Sequence, residues 1–283
     1  MDMKIAILAR FTIRRSGTRG CSTKTRRLVR GLSNQYNRAK RIILIRHGES
    51  LGNLDDHAYV STADWKIPLS DRGRQQAEEA GKRLRELIAD EPFFVYTSPY
   101  LRTRQTLDGI LKSFDNETQL LGFREEPRIV EQQFGNYQDL DEVRQAKRAR
   151  HRFGRFFYRF PNGESGLDVY QRVTSFISTL FRDAQQLRSK RGSIDDVNIV
   201  LMTHGLTLRL FLMRWFQYTV EEFEESKNPR NTEIVVMNRV ETDSGVQYYE
   251  LAEESCETMK FPIWGESYQA RTGVEGYVAP ENP

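Results

Sequence analysis

The apolar run Ile42-Ile43-Leu44-Ile45 leads directly into Arg46-His47-Gly48-Glu49-Ser50. A short apolar run bounded by glycine predicts a strand buried on both faces of a sheet. The polar residues that follow then stand at the carboxyl edge of that sheet, where open α/β folds bind their ligands. An arginine, an imidazole and a glycine-relaxed turn meet there. Arginine binds a phosphoryl group bidentately, a neutral imidazole can attack one, and glycine lets backbone N–H groups come close to it.

A second stretch repeats the pattern. Ile199-Val200-Leu201-Met202-Thr203 is apolar and rich in branched side chains, and it runs into His204-Gly205 and a helical pattern from Leu206 to Leu212. Two strand ends carrying His-Gly, far apart in sequence, predict one bipartite site. The chain has only 4 histidines, so abundance does not explain the pairing. The other two, His57 and His151, sit in polar contexts and read as solvated.

Between these strands, helices and further strands alternate. Ser70 reads as an N-cap for a helix reaching about Ala89, with Ala77, Ala80, Leu84, Leu87 and Ile88 on one face. Phe93-Phe94-Val95-Tyr96-Thr97 predicts a second strand. Pro99 opens a helix whose first turn holds Arg102 and whose apolar face is Thr106, Leu107, Ile110 and Leu111. Residues 120–163 are the least regular and read as an inserted helical cap, with bases interleaved among Phe153, Phe156, Phe157, Tyr158 and Phe160. A long helix is expected from Gly166 to Leu187. A hairpin turning at Asp243-Ser244-Gly245 should close the sheet, and residues 253–283 read as an irregular tail. Such alternation predicts an α/β fold with helices on both faces of the sheet.

Net charge is +4 over 283 residues, but the segment before Arg41 sets eleven Lys and Arg against Asp2 alone. That segment is therefore +10 and the remainder −6. Arg-rich, Ser/Thr-containing and acid-poor, residues 1–40 have the composition of an organelle transit peptide. A basic tail without an address fits it as well, and a tether for nucleic acid or an anionic surface is a third reading. The compartment expected is accordingly cytoplasmic, or mitochondrial or plastid if the extension is cleaved. Cys21 and Cys256 form no metal-binding spacing and no disulfide framework. No apolar run is long enough to span a bilayer.

Several blocks, in order, resemble the histidine phosphatase superfamily in its phosphoglycerate-mutase-like branch. They are Leu44 to Asn53, Leu69-Ser70-Asp71-Arg72-Gly73-Arg74-Gln75-Gln76-Ala77, Ser98-Pro99-Tyr100-Leu101-Arg102-Thr103-Arg104-Gln105-Thr106, Glu131-Gln132-Gln133-Phe134-Gly135, Pro161-Asn162-Gly163-Glu164-Ser165 and Met202-Thr203-His204-Gly205. The resemblance spans roughly residues 41 to 252. It implies a three-layer α/β/α core with a mostly parallel sheet. It also implies phosphoryl chemistry on small phosphorylated metabolites: His47 as nucleophile, Glu131 as proton donor, and Arg46, Arg102 and His204 around the phosphoryl group. Asn53 and the Gly205 backbone N–H match further phosphate contacts. The implied mechanism requires no metal and no cofactor.

The resemblance covers two enzyme classes. Mutases of the family carry basic contacts around the acidic turn and a Pro-Pro-Pro segment. Here the turn carries Gln132 and Gln133, and the corresponding stretch is Arg159-Phe160-Pro161-Asn162-Gly163. That departure favours hydrolysis over phosphoglycerate mutase activity. A non-catalytic phosphate-binding regulator is the remaining alternative, although no expected site residue is missing. Nothing beyond the basic extension points to nucleic acid, and oligomeric state is not readable. Arg144, Lys147, Arg148, Arg150 and Arg152 read either as contacts for an anionic substrate group or as a solvated helix face.

Overall fold

Strand β1 (Arg41–Arg46) lies near the middle of a six-stranded sheet in a computed structural model that describes residues 38–114, 119–135, 139–242, 245 and 247–262. It pairs in parallel with β4 (Asn198–Thr203), which pairs in parallel with β2 (Phe93–Thr97). On its other side it pairs antiparallel with β5 (Ile234–Glu241), which pairs antiparallel with β6 (Gln247–Leu251). The outer strand beside β2 is β3 (Leu120–Glu125), so the sheet order is β3-β2-β4-β1-β5-β6.

The apolar runs are continuous because both faces of the central strands are covered. Alternate side chains face opposite ways. Ile42, Leu44, Ile199 and Leu201 pack with Phe176, Leu208 and Phe211 in one core. Ile43, Ile45, Val200 and Met202 pack with Ala80, Leu84, Leu107 and Ile110 in the other. This is the expected three-layer α/β/α arrangement.

Among the described residues the helices are α1 (Leu51–Leu54), α2 (Ala58–Ser61), α3 (Asp71–Ile88), α4 (Leu101–Leu111), α5 (Leu140–Phe153), α6 (Gly166–Arg191), α7 (Gly205–Phe216), α8 (Val220–Glu225) and α9 (Glu253–Met259). None is long and apolar enough to cross a membrane. Helices α3 and α4 cover one face of the sheet, and α6 and α7 cover the other. Ser70 caps α3 as expected, its Oγ accepting the Gly73 N–H at 3.0 Å. Helix α6 opens with a capping box: Ser165 Oγ accepts from Asp168 N–H, and the Asp168 carboxylate accepts from Ser165 N–H at 2.7 Å. It continues one turn past the expected end, to Gly192 at φ 83°.

Three expectations are corrected. The cap does not begin at residue 120, because Leu120–Glu125 is a sheet strand. This strand is half-buried or exposed along its length and contains Gly122 and the exposed Phe123, so it has no run or alternation to reveal it. The basic helix is α5, which ends at Gly154, φ 89°. The aromatic residues beyond it are not helical, and Phe156 and Phe160 are buried while Phe157 is exposed. The segment after Glu253 is not wholly irregular either. Helix α9 buries Cys256 and Met259 and ends at Lys260 in the left-handed region. The basic extension up to residue 37, the turn residues Asp243 and Ser244, and the tail from residue 263 lie outside the described residues.

Candidate active site

The register of β1 against β4 sets Arg46 opposite Thr203, so the residue after each strand is a histidine at the same sheet edge. The His47 and His204 rings meet edge to face with centroids 5.1 Å apart, and both side chains are buried. His47 N–H donates to the Thr203 carbonyl at 3.0 Å, which ties the two strand ends together.

The hydrogen-bond pattern assigns the His47 tautomer and anchors the His204 ring. His47 Nδ1 lies 2.6 Å from the Gly48 carbonyl oxygen. A carbonyl only accepts, so Nδ1 carries the proton and Nε2 keeps its lone pair. His204 Nε2 lies 2.8 Å from Ser98 Oγ, which also accepts the Tyr100 N–H at 3.4 Å. A hydroxyl can both donate and accept, so this contact fixes the orientation of the His204 ring and is met by either neutral tautomer. Burial holds both imidazoles well below the ordinary histidine range, reinforced by the Arg102 charge and, at His47, by Arg46. Both rings are therefore neutral.

The loop carrying His47 is fixed by side chains from the other sequence blocks. Gly48 N–H donates to Thr106 Oγ1 at 3.0 Å, Glu49 N–H to Gln76 Oε1 at 2.9 Å, and Leu69 N–H to Gln105 Oε1 at 2.8 Å. Glu49 accepts from Ser70 Oγ at 2.8 Å, so its role is to brace the start of α3. The loop and α3 approach so closely that a Cβ on Gly73 would lie 2.0 Å from the Glu49 carbonyl oxygen, and one on Gly48 would lie 2.5 Å from that of Gly73. Only glycine fits at either position.

Arg46 donates from Nη1 to the Pro229 carbonyl at 2.6 Å, while its buried Nε has no hydrogen-bond partner. Arg102, in the first turn of α4, is 3% exposed and so is not a surface helix arginine. It donates from Nη1 to both the carbonyl and a carboxylate oxygen of Asp64, each at 2.8 Å, and lies over the Tyr100 ring at 4.7 Å. Tyr100 in turn packs edge to face on His204, centroids 5.0 Å apart.

Glu131 reaches the amino end of α7, beside His204. Its Oε2 accepts from Leu206 N–H at 3.3 Å, and its Oε1 accepts from Gln132 N–H at 3.0 Å. Arg172 on α6 holds the turn by donating to the Glu131 carbonyl at 3.1 Å and the Arg128 carbonyl at 2.7 Å. The same guanidinium pairs with Glu164, which explains the Pro161 to Ser165 block as a brace for the acidic turn. Gly205 is the first residue of α7, so its amide lies at a helix N-terminus, where anions are favoured. Asn53 is exposed, and its Oδ1 accepts from Ser50 N–H at 3.1 Å and from Asn231 Nδ2 at 3.3 Å. Its visible role is therefore to tie the loop.

His47, His204, Arg46, Arg102 and Glu131 are thus brought to one place, with Gly205 beside them and Asn53 at the rim. Sequence reasoning missed Ser98, Asp64, Tyr100 and Arg172. Ser98 had a usable signal, because it directly follows strand β2. Asp64 had none, since it lies in a polar stretch that proves to be a 3-10 turn, Asp64–Lys66. Among the described residues, no group of three or more His, Cys, Asp or Glu side chains converges to hold a metal ion.

A sheet edge with paired histidines, two arginines and a carboxylate defines a phosphoryl-handling site, and the chain belongs to the histidine phosphatase superfamily (branch 1), whose family model matches residues 42–251. It is 52% identical over 204 residues to phosphoglycerate mutase-like protein AT74 of Arabidopsis thaliana, covering 70% of this chain and 64% of that protein. It is 32% identical to the broad-range acid phosphatase DET1 of Saccharomyces cerevisiae, covering 76% of this chain and 89% of that one. The fold is shared with the mycobacterial glucosyl-3-phosphoglycerate phosphatase: TM-score 0.56, 21% identity, 76% of this chain and 97% of that chain.

Proposed function

We propose that the protein is a phosphomonoester hydrolase acting through a phosphohistidine on small phosphorylated metabolites. The observation that carries this reading is the neutral His47 ring, with its Nδ1 proton held by the Gly48 carbonyl and its Nε2 lone pair left for attack. Nε2 attacks phosphorus and the bond from phosphorus to the alcohol oxygen breaks. Glu131 delivers a proton to the leaving oxygen. In the second half, Glu131 takes a proton from water as that water attacks phosphorus. The P–N bond breaks, inorganic phosphate leaves, and Nε2 regains its lone pair.

In this scheme His204 carries its proton on Nδ1 and accepts the Ser98 hydroxyl at Nε2, and Arg46, Arg102 and that Nδ1–H neutralise the phosphoryl oxygens. The buried Arg46 Nε and His204 Nδ1 have no hydrogen-bond partner in the described protein. Unpaired buried donors are costly and need an explanation, and an arriving phosphoryl group supplies the acceptors. Each well-aimed donor is worth about 3–4 kcal/mol in the transition state. Proton transfer by Glu131 adds about 10²–10⁴-fold. No step in this scheme requires a metal or a second cofactor.

The similarity to a broad-range acid phosphatase supports hydrolysis, as do the glutamines at positions 132 and 133. The test is phosphate release from a panel of phosphomonoesters, 3-phosphoglycerate included, with His47→Ala as control. His47-dependent release in the presence of a chelator supports the reading. Turnover only with added 2,3-bisphosphoglycerate would make the protein a mutase instead, and no turnover at all would favour a phosphate-binding regulator.

A further inference from the structure

From Arg128 to Glu131, four consecutive backbone carbonyls are each held by a side chain of another element. Arg172 on α6 donates to the Arg128 carbonyl at 2.7 Å and to the Glu131 carbonyl at 3.1 Å. Between them, the Thr203 hydroxyl at the end of β4 donates to the Ile129 carbonyl at 2.7 Å. The Thr207 hydroxyl in the first turn of α7 donates to the Val130 carbonyl, also at 2.7 Å. The two threonines bracket His204 in sequence, so the acidic turn is fastened to the second histidine block.

Thr207 also meets the Glu131 carboxylate, its Oγ1 lying 3.3 Å from Oε1. A helical threonine ordinarily bonds back to the carbonyl four residues earlier. Thr106 does so to Arg102 at 2.6 Å, and Thr174 to Tyr170 at 2.8 Å. Thr207 instead reaches a segment 77 residues away. It is 1% exposed, so water does not compete for the bond. The N-cap residue of α7, His204, makes no side-chain bond to its own helix, and the Leu206 N–H donates to Glu131 Oε2 at 3.3 Å instead. The Gln132 N–H that reaches Oε1 moves with Glu131 itself. The Thr207 hydroxyl and the Leu206 N–H are therefore the groups that locate this carboxyl relative to His204.

We propose that Thr207 is the positioning residue of the proton donor, setting the Glu131 carboxyl against the leaving oxygen of the substrate. The inference rests on the hydrolase reading above and deepens it. A general acid acts only within hydrogen-bond reach of the atom it protonates, and a displacement of about 1 Å can cost about 10²-fold. Without the hydroxyl, the Val130 carbonyl loses its donor and the turn is free to shift. The His47 loop is held separately, by Thr106, Gln76 and Gln105. The loss should therefore fall on substrates that need the proton.

The test compares single-turnover phosphorylation of the full chain by glycerol 1-phosphate and by p-nitrophenyl phosphate in Thr207→Val, which keeps the shape of the side chain and drops its hydroxyl. The maximal rate with glycerol 1-phosphate should fall by at least about tenfold, with KM little changed, and that with p-nitrophenyl phosphate by less than about threefold. Thr207→Ser, which keeps the hydroxyl, should restore glycerol 1-phosphate to within about threefold. Equal losses on the two substrates, or no loss, overturn the proposal. Added to Glu131→Gln, Thr207→Val should cost less than about a further twofold, because both act through one carboxyl; a further loss of about tenfold overturns it. Thermal unfolding accompanies each variant, and Thr207→Ala carries the same comparison if Thr207→Val does not fold. Equal losses in Glu131→Gln alone would instead remove the proton donor on which this inference stands, and turnover that survives His47→Ala would overturn the hydrolase reading itself.

Discussion

The rings of His47 and His204 stand 5.1 Å apart because β1 and β4 pair in parallel with Arg46 opposite Thr203. A shift of one residue would turn one imidazole to the opposite face of the sheet. The two buried cores, which take alternate residues of both strands, oppose such a shift. The register that packs the core is the register that assembles the site.

His47→Ala should lower turnover by at least about 10³-fold and abolish the acid-labile phosphoenzyme together. Quench-flow with labelled substrate measures both. Wild-type turnover in this variant would remove His47 from the nucleophile role.

Glu131→Gln should depend on the leaving group. An alkyl phosphate needs a proton on its leaving oxygen and should slow by about 10²–10⁴-fold. p-Nitrophenyl phosphate, with a good leaving group, should slow much less in the phosphorylation step. Single-turnover rates on the two substrates decide it, and equal losses would assign the proton to another group.

Ser98→Ala removes the hydroxyl that hydrogen-bonds to His204 Nε2. The imidazole then loses the partner that orients its ring. A lost buried hydrogen bond of about 1–2 kcal/mol corresponds to about five- to thirtyfold in kcat/KM. Thermal unfolding should confirm that the fold is intact, and an unchanged kcat/KM would mean that His204 needs no such orientation.

Both buried imidazoles of the site have pKa values held down by burial, so they stay neutral where ordinary histidines charge. The unfolded chain takes up those protons as pH falls through about 6.5, so stability should decline in that window, above the range where carboxylates contribute. Denaturant midpoints measured across the window, compared with a His47→Gln, His204→Gln double variant, test this. The double variant should show a flatter profile, and equal slopes would contradict the assignment.

Gly73→Ala should destabilise the protein by about 1–3 kcal/mol through overpacking, because a Cβ would press on the Glu49 carbonyl oxygen. The same shift moves the His47 loop, so activity should fall alongside stability. Retained activity with lost stability would separate the loop position from catalysis.

Much of this was legible in the sequence because it is local. The runs Ile42–Ile45 and Ile199–Met202 mark buried strands by composition alone, and the Ser70 cap marks a helix start by side-chain chemistry within three residues. His47 and His204 were visible because each follows such a strand directly. Strand β3 was not legible, since a half-exposed edge strand leaves no hydrophobic pattern, and α9 is short enough to pass for tail. Among site residues, Asp64 gives no local signal at all, and its meaning comes only from the Arg102 guanidinium that it holds.

The sequence by itself determined which strands are buried, which residues stand at their ends, and hence the chemical kind of site. The tertiary structure decided the rest: the Nδ1 proton of His47, the contact of His204 with Ser98, and the carboxylate partner of Arg102. The physical reason is range. Propensity, capping and burial pattern act within a few residues. A hydrogen bond such as Ser98 to His204, or an ion pair such as Arg102 to Asp64, depends on which distant segments the packed sheet brings within 3 Å of each other.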